Sequence, residues 1–78
     1  MVIKTKDNKA KTKTLVYADN VYIGFIFFNA GKWHYSFDKS SAPSYIAFEV
    51  DSRELAIDRL VESKKDFIRA VAGAGNKN

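Results

Sequence analysis

The chain has 78 residues, with 13 Lys and Arg against nine Asp and Glu for a formal charge of +4, and it is 46% hydrophobic and 14% aromatic. A chain this short buries only about 60% of its unfolded surface, so it makes one domain with a single thin core; the lack of cysteine excludes disulfides, thiolate catalysis and cysteine-ligated zinc. No stretch approaches the ~18 consecutive apolar residues of a membrane span, and the opening "MVIKTKDNKAKTK" has no apolar signal core, so a cytoplasmic protein is the expectation.

Residues 1–13 form a basic segment. Val2 and Ile3 can make a short strand, and "KTKDNKAKTKT", where Lys4, Lys6, Lys9, Lys11 and Lys13 recur with almost no apolar residue between them, reads as a loop or mobile arm. Residues 14–72 are then one sheet-plus-helix domain. "TLVYADNVYIGFIFF" gives two strands around Asp19 and Asn20, a pair that tolerates the positive φ of a two-residue hairpin turn. Asn29, Ala30 and Gly31 fit a three-residue turn with Gly at the left-handed position, and Lys32 to Phe37 returns as the next strand. "DKSSAPS" is a loop before a strand at about Tyr45 to Val50. Asp51 as N-cap with Glu54 three residues on makes a capping box, and Val50 with Leu55 a hydrophobic staple. A helix is therefore expected from Ser52 to about Ala72, with Ile57, Leu60, Val61, Phe67, Ile68 and Val71 facing inward, before a flexible tail over 73–78 that opens on Gly73. The fold class is α+β: a three- to four-stranded antiparallel sheet with one C-terminal helix packed across one face.

The two turns imply a register, and the register sorts side chains to faces. Val16, Ala18, Val21, Ile23, Phe25, Phe27, Trp33, Tyr35 and Phe37 fall on the helix side as core, joined by Ile46, Phe48 and Val50 from the last strand. Lys13, Leu15, Tyr17, Tyr22, Gly24, Ile26, Phe28, Lys32, His34 and Ser36 fall on the other, a face too apolar to be only solvated; Gly24 is either a bare spot open to close backbone approach or a bulge, and the lysine-rich N-terminal segment could itself fold back over this face.

Catalytic and metal chemistry find no support. His34, Ser36 and Asp38 share one face, but alternate strand residues are ~7 Å apart with parallel side chains, so no relay of hydrogen bonds links them. One histidine cannot build a His-rich metal site, and no phosphate-binding glycine motif precedes a helix. The expectation is a non-enzyme with no cofactor, metal or small-molecule substrate.

The segments "YIGFIFFNAGKWHYSF" and "FEVDSRELAIDRL", from Tyr22 to about Ile68, resemble the AP2-like DNA-binding fold, including the arm-binding domain of lambda-type integrases: a three-stranded antiparallel sheet followed by one helix across it. That resemblance implies that the outward sheet face enters a DNA groove through Tyr22, Lys32, His34 and Ser36, with Lys39 at the strand end. Lys9, Lys11 and Lys13 on the basic arm would track the backbone. Ile26 and Phe28 depart from the polar face of that family. They support the alternative, a protein-interaction module (homodimer, inhibitor or adaptor) that buries Tyr17, Tyr22, Ile26 and Phe28 against another chain.

Overall fold

Asp19 and Asn20 both adopt left-handed backbone angles, φ 50° and 68°, and Ala30 and Gly31 do the same at 53° and 77°. Positive φ at both central positions makes a type I′ turn, whose twist matches that of the strands it joins. These turns organise a computed structural model that describes residues 1–38 and 46–75. Five strands, β1 (Ile3–Asp7), β2 (Thr14–Ala18), β3 (Val21–Asn29), β4 (Lys32–Ser36) and β5 (Phe48–Val50), precede one helix, α1 (Arg53–Gly75). The strands form a single sheet in chain order, every pairing antiparallel. The α+β class with a C-terminal helix on the sheet is as expected, with five strands rather than three or four.

The additional strand is β1. It extends the short strand expected at Val2 and Ile3 into residues 4–7, which are neither loop nor arm: Ile3 to Asp7 pairs residue by residue with Ala18 to Thr14. Its start is fixed where Asp19 Oδ1 accepts from the Val2 N–H at 2.8 Å and the Asp19 N–H donates to the Val2 carbonyl at 2.8 Å. At the other end, β5 is shorter than expected, and Ile46, expected inside, is 71% exposed. Tyr45 lies outside the described residues.

The register of β3 departs from expectation twice, and the two departures cancel. Tyr17 faces Tyr22, but Val16 faces Gly24, so Ile23 is an extra residue in β3, a β-bulge. Beyond it the alternation of β3 is inverted. The second turn then spans two residues rather than three, with Asn29 opposite Lys32, which restores the expected facing of β4. Trp33 and Tyr35 accordingly pack on the core, while Ile26, fully buried, moves to the helix side and Phe25 and Phe27 move away from it.

The core lies between the sheet and α1: Val16, Ala18, Ile23 and Ile26 from the strands meet Ala56, Leu60 and Ile68, with Val21, Trp33, Tyr35, Phe37, Val50, Ile57 and Val61 half-buried around them. Phe67 and Val71, expected on the inward stripe, are 49% and 42% exposed. Lys64 reaches over the rings of Phe37 and Phe67, 5.5 and 5.4 Å from their centroids. At Gly24 the neighbouring strand and the helix both come so close that an added Cβ would collide with the Ser36 carbonyl oxygen of β4 and lie 2.7 Å from Leu60 Cδ2 of α1.

The helix cap is Ser52, not Asp51. Ser52 Oγ accepts from the Leu55 N–H at 3.1 Å and its carbonyl accepts from the Ala56 N–H at 3.1 Å, which is the N-cap pattern. Asp51 is drawn away by Lys32, whose Nζ donates to Asp51 Oδ1 at 3.0 Å. Ser52→Ala should therefore lower stability by about 1 kcal/mol, and Asp51→Ala, breaking an exposed ion pair, by roughly half that or less; urea unfolding midpoints of the two variants check the order. At its far end the helix continues through Gly73, where the tail was expected to begin, to Gly75.

Candidate nucleic-acid interface

The sheet face away from α1 is assembled from residues of one parity on each strand. On β2, Val16 and Ala18 point into the core, so Leu15 and Tyr17 point outward. The pairing of β1 puts Lys6 beside Leu15 and Lys4 beside Tyr17, and across the sheet Tyr17 meets Tyr22, Leu15 meets Phe25, and Phe27 meets His34. The result is a row of lysines along one margin of an aromatic face. This pairing is invisible to a reading that treats residues 4–13 as a loop. The signal for it is a two-residue alternation, Ile3, Thr5 and Asp7 against Lys4 and Lys6.

The aromatic side chains of this face are held by their neighbours. Tyr17 and Tyr22 meet edge to face, centroids 5.6 Å apart, and the Tyr22 hydroxyl donates to the Asp38 carbonyl at 2.9 Å. Phe25 is fully buried although it lies opposite the helix, with Phe27 6.0 Å away and Lys13 Nζ 4.5 Å from its ring centroid. Phe27 stacks on His34, centroids 4.9 Å apart and planes within 6°. His34 Nε2 lies 3.7 Å from a Glu49 carboxylate oxygen, and its Nδ1 is buried with no hydrogen-bond partner among the described residues.

The loop joining β1 to β2 is a built structure. The Asn8 N–H donates to the Lys13 carbonyl at 2.9 Å, and the Asn8 carbonyl accepts from the Lys11 N–H at 3.0 Å. Asn8 Oδ1 accepts from the Thr12 and Lys13 N–H groups at 2.8 and 3.1 Å, and Asn8 Nδ2 donates to Thr12 Oγ1 at 3.0 Å. Lys11 takes the left-handed φ of 57° that the tight turn requires. Lys9, Lys11 and Lys13 are therefore displayed on a fixed backbone.

The expected site residues separate into groups. Lys13, Tyr17, Tyr22 and His34 share the outer face, with Lys9 and Lys11 in the loop at its margin. Lys32 sits at the far end of the sheet, where the hydrogen bond from Nζ to Asp51 holds its ammonium above the ordinary lysine pKa. That carboxylate already neutralises it. Ser36 is fully buried, its hydroxyl accepting from the Asp38 N–H at 3.2 Å, so it closes the strand end instead of meeting a ligand. Ile26 is core and Phe28, though 59% exposed, lies on the helix side against Trp33, so neither belongs to an outer-face interface. Lys39 lies outside the described residues.

No family model, curated protein or solved structure matches this chain. The chemistry of the face therefore has to be judged from its own charges, which are unevenly distributed. Residues 1–38 carry six lysines against three aspartates, whereas residues 46–75 carry five Lys and Arg against six Asp and Glu. Lys4, Lys6, Lys9 and Lys11 form no ion pair with a described residue. Among the described residues there is no cluster of three metal-ligating side chains and no helix long and apolar enough to cross a membrane.

Proposed function

We propose that this protein is a non-enzymatic DNA-binding module that lays the outer face of its sheet, margin of lysines first, on the duplex backbone. The observation that carries this reading is the placement of Lys4 and Lys6 by β1 in register with Leu15 and Tyr17, on the face opposite the helix. A strand sets the Cα atoms of these two lysines about 7 Å apart with their side chains on one side. Phosphates are the partner that repeated, unpaired cations on a fixed surface select, because each phosphate engaged releases condensed counterions. Tyr17, opposite Lys4, offers a hydroxyl group for a further sugar or phosphate hydrogen bond. The resemblance to the arm-binding domain of lambda-type integrases belongs to this reading, with β1 and β2 as elements outside the shared part.

Binding to a short duplex should weaken steeply with salt. Lys4 and Lys6 are exposed, so Lys4→Ala with Lys6→Ala should leave the fold intact and reduce the slope of log K against log salt by about 1.8, at ~0.9 for each phosphate no longer engaged. Between 50 and 200 mM salt the parent protein would then lose roughly tenfold more affinity than the variant. Fluorescence anisotropy at several salt concentrations reads both slopes, and affinity indifferent to salt would remove this function.

A further inference from the structure

We infer that the β1–β2 loop, residues 8–13, is a preset clasp for the phosphodiester backbone, and that Asn8 is its positioning residue; this rests on the nucleic-acid reading above and names the part of the surface that engages phosphate. The loop carries Lys9, Lys11 and Lys13 at alternate positions with no acidic residue among them. The one acid of the hairpin, Asp7, is engaged elsewhere: its Oδ1 accepts from Thr14 Oγ1 at 3.0 Å. Like charges gathered this way repel one another and work against the folded loop. The loop is nevertheless closed by Asn8, whose N–H, carbonyl and both side-chain polar atoms each hold a bond across it. One neutral side chain thus does the holding, and Lys9 and Lys11 form no ion pair with a described residue.

Such a loop suits a polyanion whose charges repeat. An ordered backbone removes the conformational cost of collecting the lysines at the moment of binding, so affinity rises with the same set of phosphates engaged. Lysine acts as a point charge towards phosphate and does not make the planar bidentate contacts that read base edges. The outer face, built from Leu15, Tyr17, Tyr22, Phe25, Phe27 and His34, has no Arg, Asn or Gln placed to read a base among those side chains. The clasp is therefore directed at the backbone and indifferent to sequence, a mode in which charge positions the protein and nothing specifies the site.

The test uses the full chain, two 16-base-pair duplexes of unrelated sequence, and anisotropy titrations across a range of salt. The wild type should bind both duplexes within about twofold. Asn8→Ala should bind about three- to tenfold more weakly with the salt slope of the wild type, since the same phosphates are met by a loop that must first be ordered. Lys9→Ala with Lys11→Ala should instead flatten the slope by about 1.8. Amide exchange at Thr12 and Lys13 should accelerate in Asn8→Ala, reporting the released loop directly. If Asn8→Ala does not fold, Thr12→Val takes its place: it removes only the bond from Asn8 Nδ2, and a loss of about twofold is expected. A folded Asn8→Ala variant that binds as tightly as the wild type overturns the clasp while leaving the nucleic-acid reading standing. A preference of tenfold or more for one duplex overturns the backbone-directed mode in the same way. Absence of salt-dependent binding by the wild type removes both.

Discussion

Ile26→Lys is expected to unfold the protein. The side chain is fully buried between the sheet and α1, in the cluster with Val16, Ile23, Leu60 and Ile68. Truncation to alanine at such a position costs about 2–5 kcal/mol. A lysine there must also surrender the hydration of its ammonium or force the helix away from the sheet. A domain of this length has a total stability of roughly 4–12 kcal/mol, so the loss takes most of it. Phe28→Lys is the matching control: two residues along the same strand, 59% exposed and edge-on to Trp33, it should cost about 1 kcal/mol or less. Circular dichroism melts of the two variants decide the matter. A folded Ile26→Lys beside an unfolded Phe28→Lys would mean that the bulge at Ile23 is misplaced.

Gly24→Ala should be nearly as damaging, for a different reason. Gly24 has φ of 149°, a region L-residues avoid, and a Cβ built there collides with the Ser36 carbonyl oxygen and presses on Leu60 Cδ2 at 2.7 Å. Backbone strain of this kind costs about 1–3 kcal/mol, and overpacking about 1–3 kcal/mol more. Neither obstruction gives way easily, because one is the backbone of the neighbouring strand and the other a buried leucine of the core. A loss of about 3–5 kcal/mol in the urea-derived stability of Gly24→Ala is the expected result; a variant as stable as the parent would rule out the close approach of α1 to β3 at this point.

Which features could be read from sequence follows from the range of the interactions that fix them. The turn at Asp19 and Asn20 and the existence of the helix are set by neighbouring residues, and both are legible. The bulge is half legible: Gly24 can be read either as a bare spot or as a bulge, and its fit beneath Leu60 and against Ser36 goes with the extra residue that β3 takes there. Ala30 hides the second turn, since alanine gives no hint that it will accept φ of 53°. Asp51 and Ser52 are equally good caps in isolation, and the choice falls to Ser52 because Lys32, distant in sequence, engages Asp51. The outer face is therefore only half legible. Tyr17, Tyr22 and His34 keep their expected side, while Ile26 and Phe28 change places with Phe25 and Phe27. Lys4 and Lys6 give no strand signal of their own because lysine is a poor strand former, and the pairing of β1 is decided by tertiary context.

The agreement between strand order and chain order bears on how the molecule assembles. Each strand finds its partner in the strand immediately before or after it, with two of the connections only two residues long. The entropy lost in closing such short loops is small. The β2–β3 and β3–β4 hairpins can therefore form independently on the microsecond scale typical of hairpins, neither waiting for the chain ends to meet. Only the helix has to return across strands already laid down. Local topology of this kind favours rapid folding for a protein that is mostly sheet, and it leaves the hydrophobic side of the hairpins uncovered for only the brief interval before α1 closes over it.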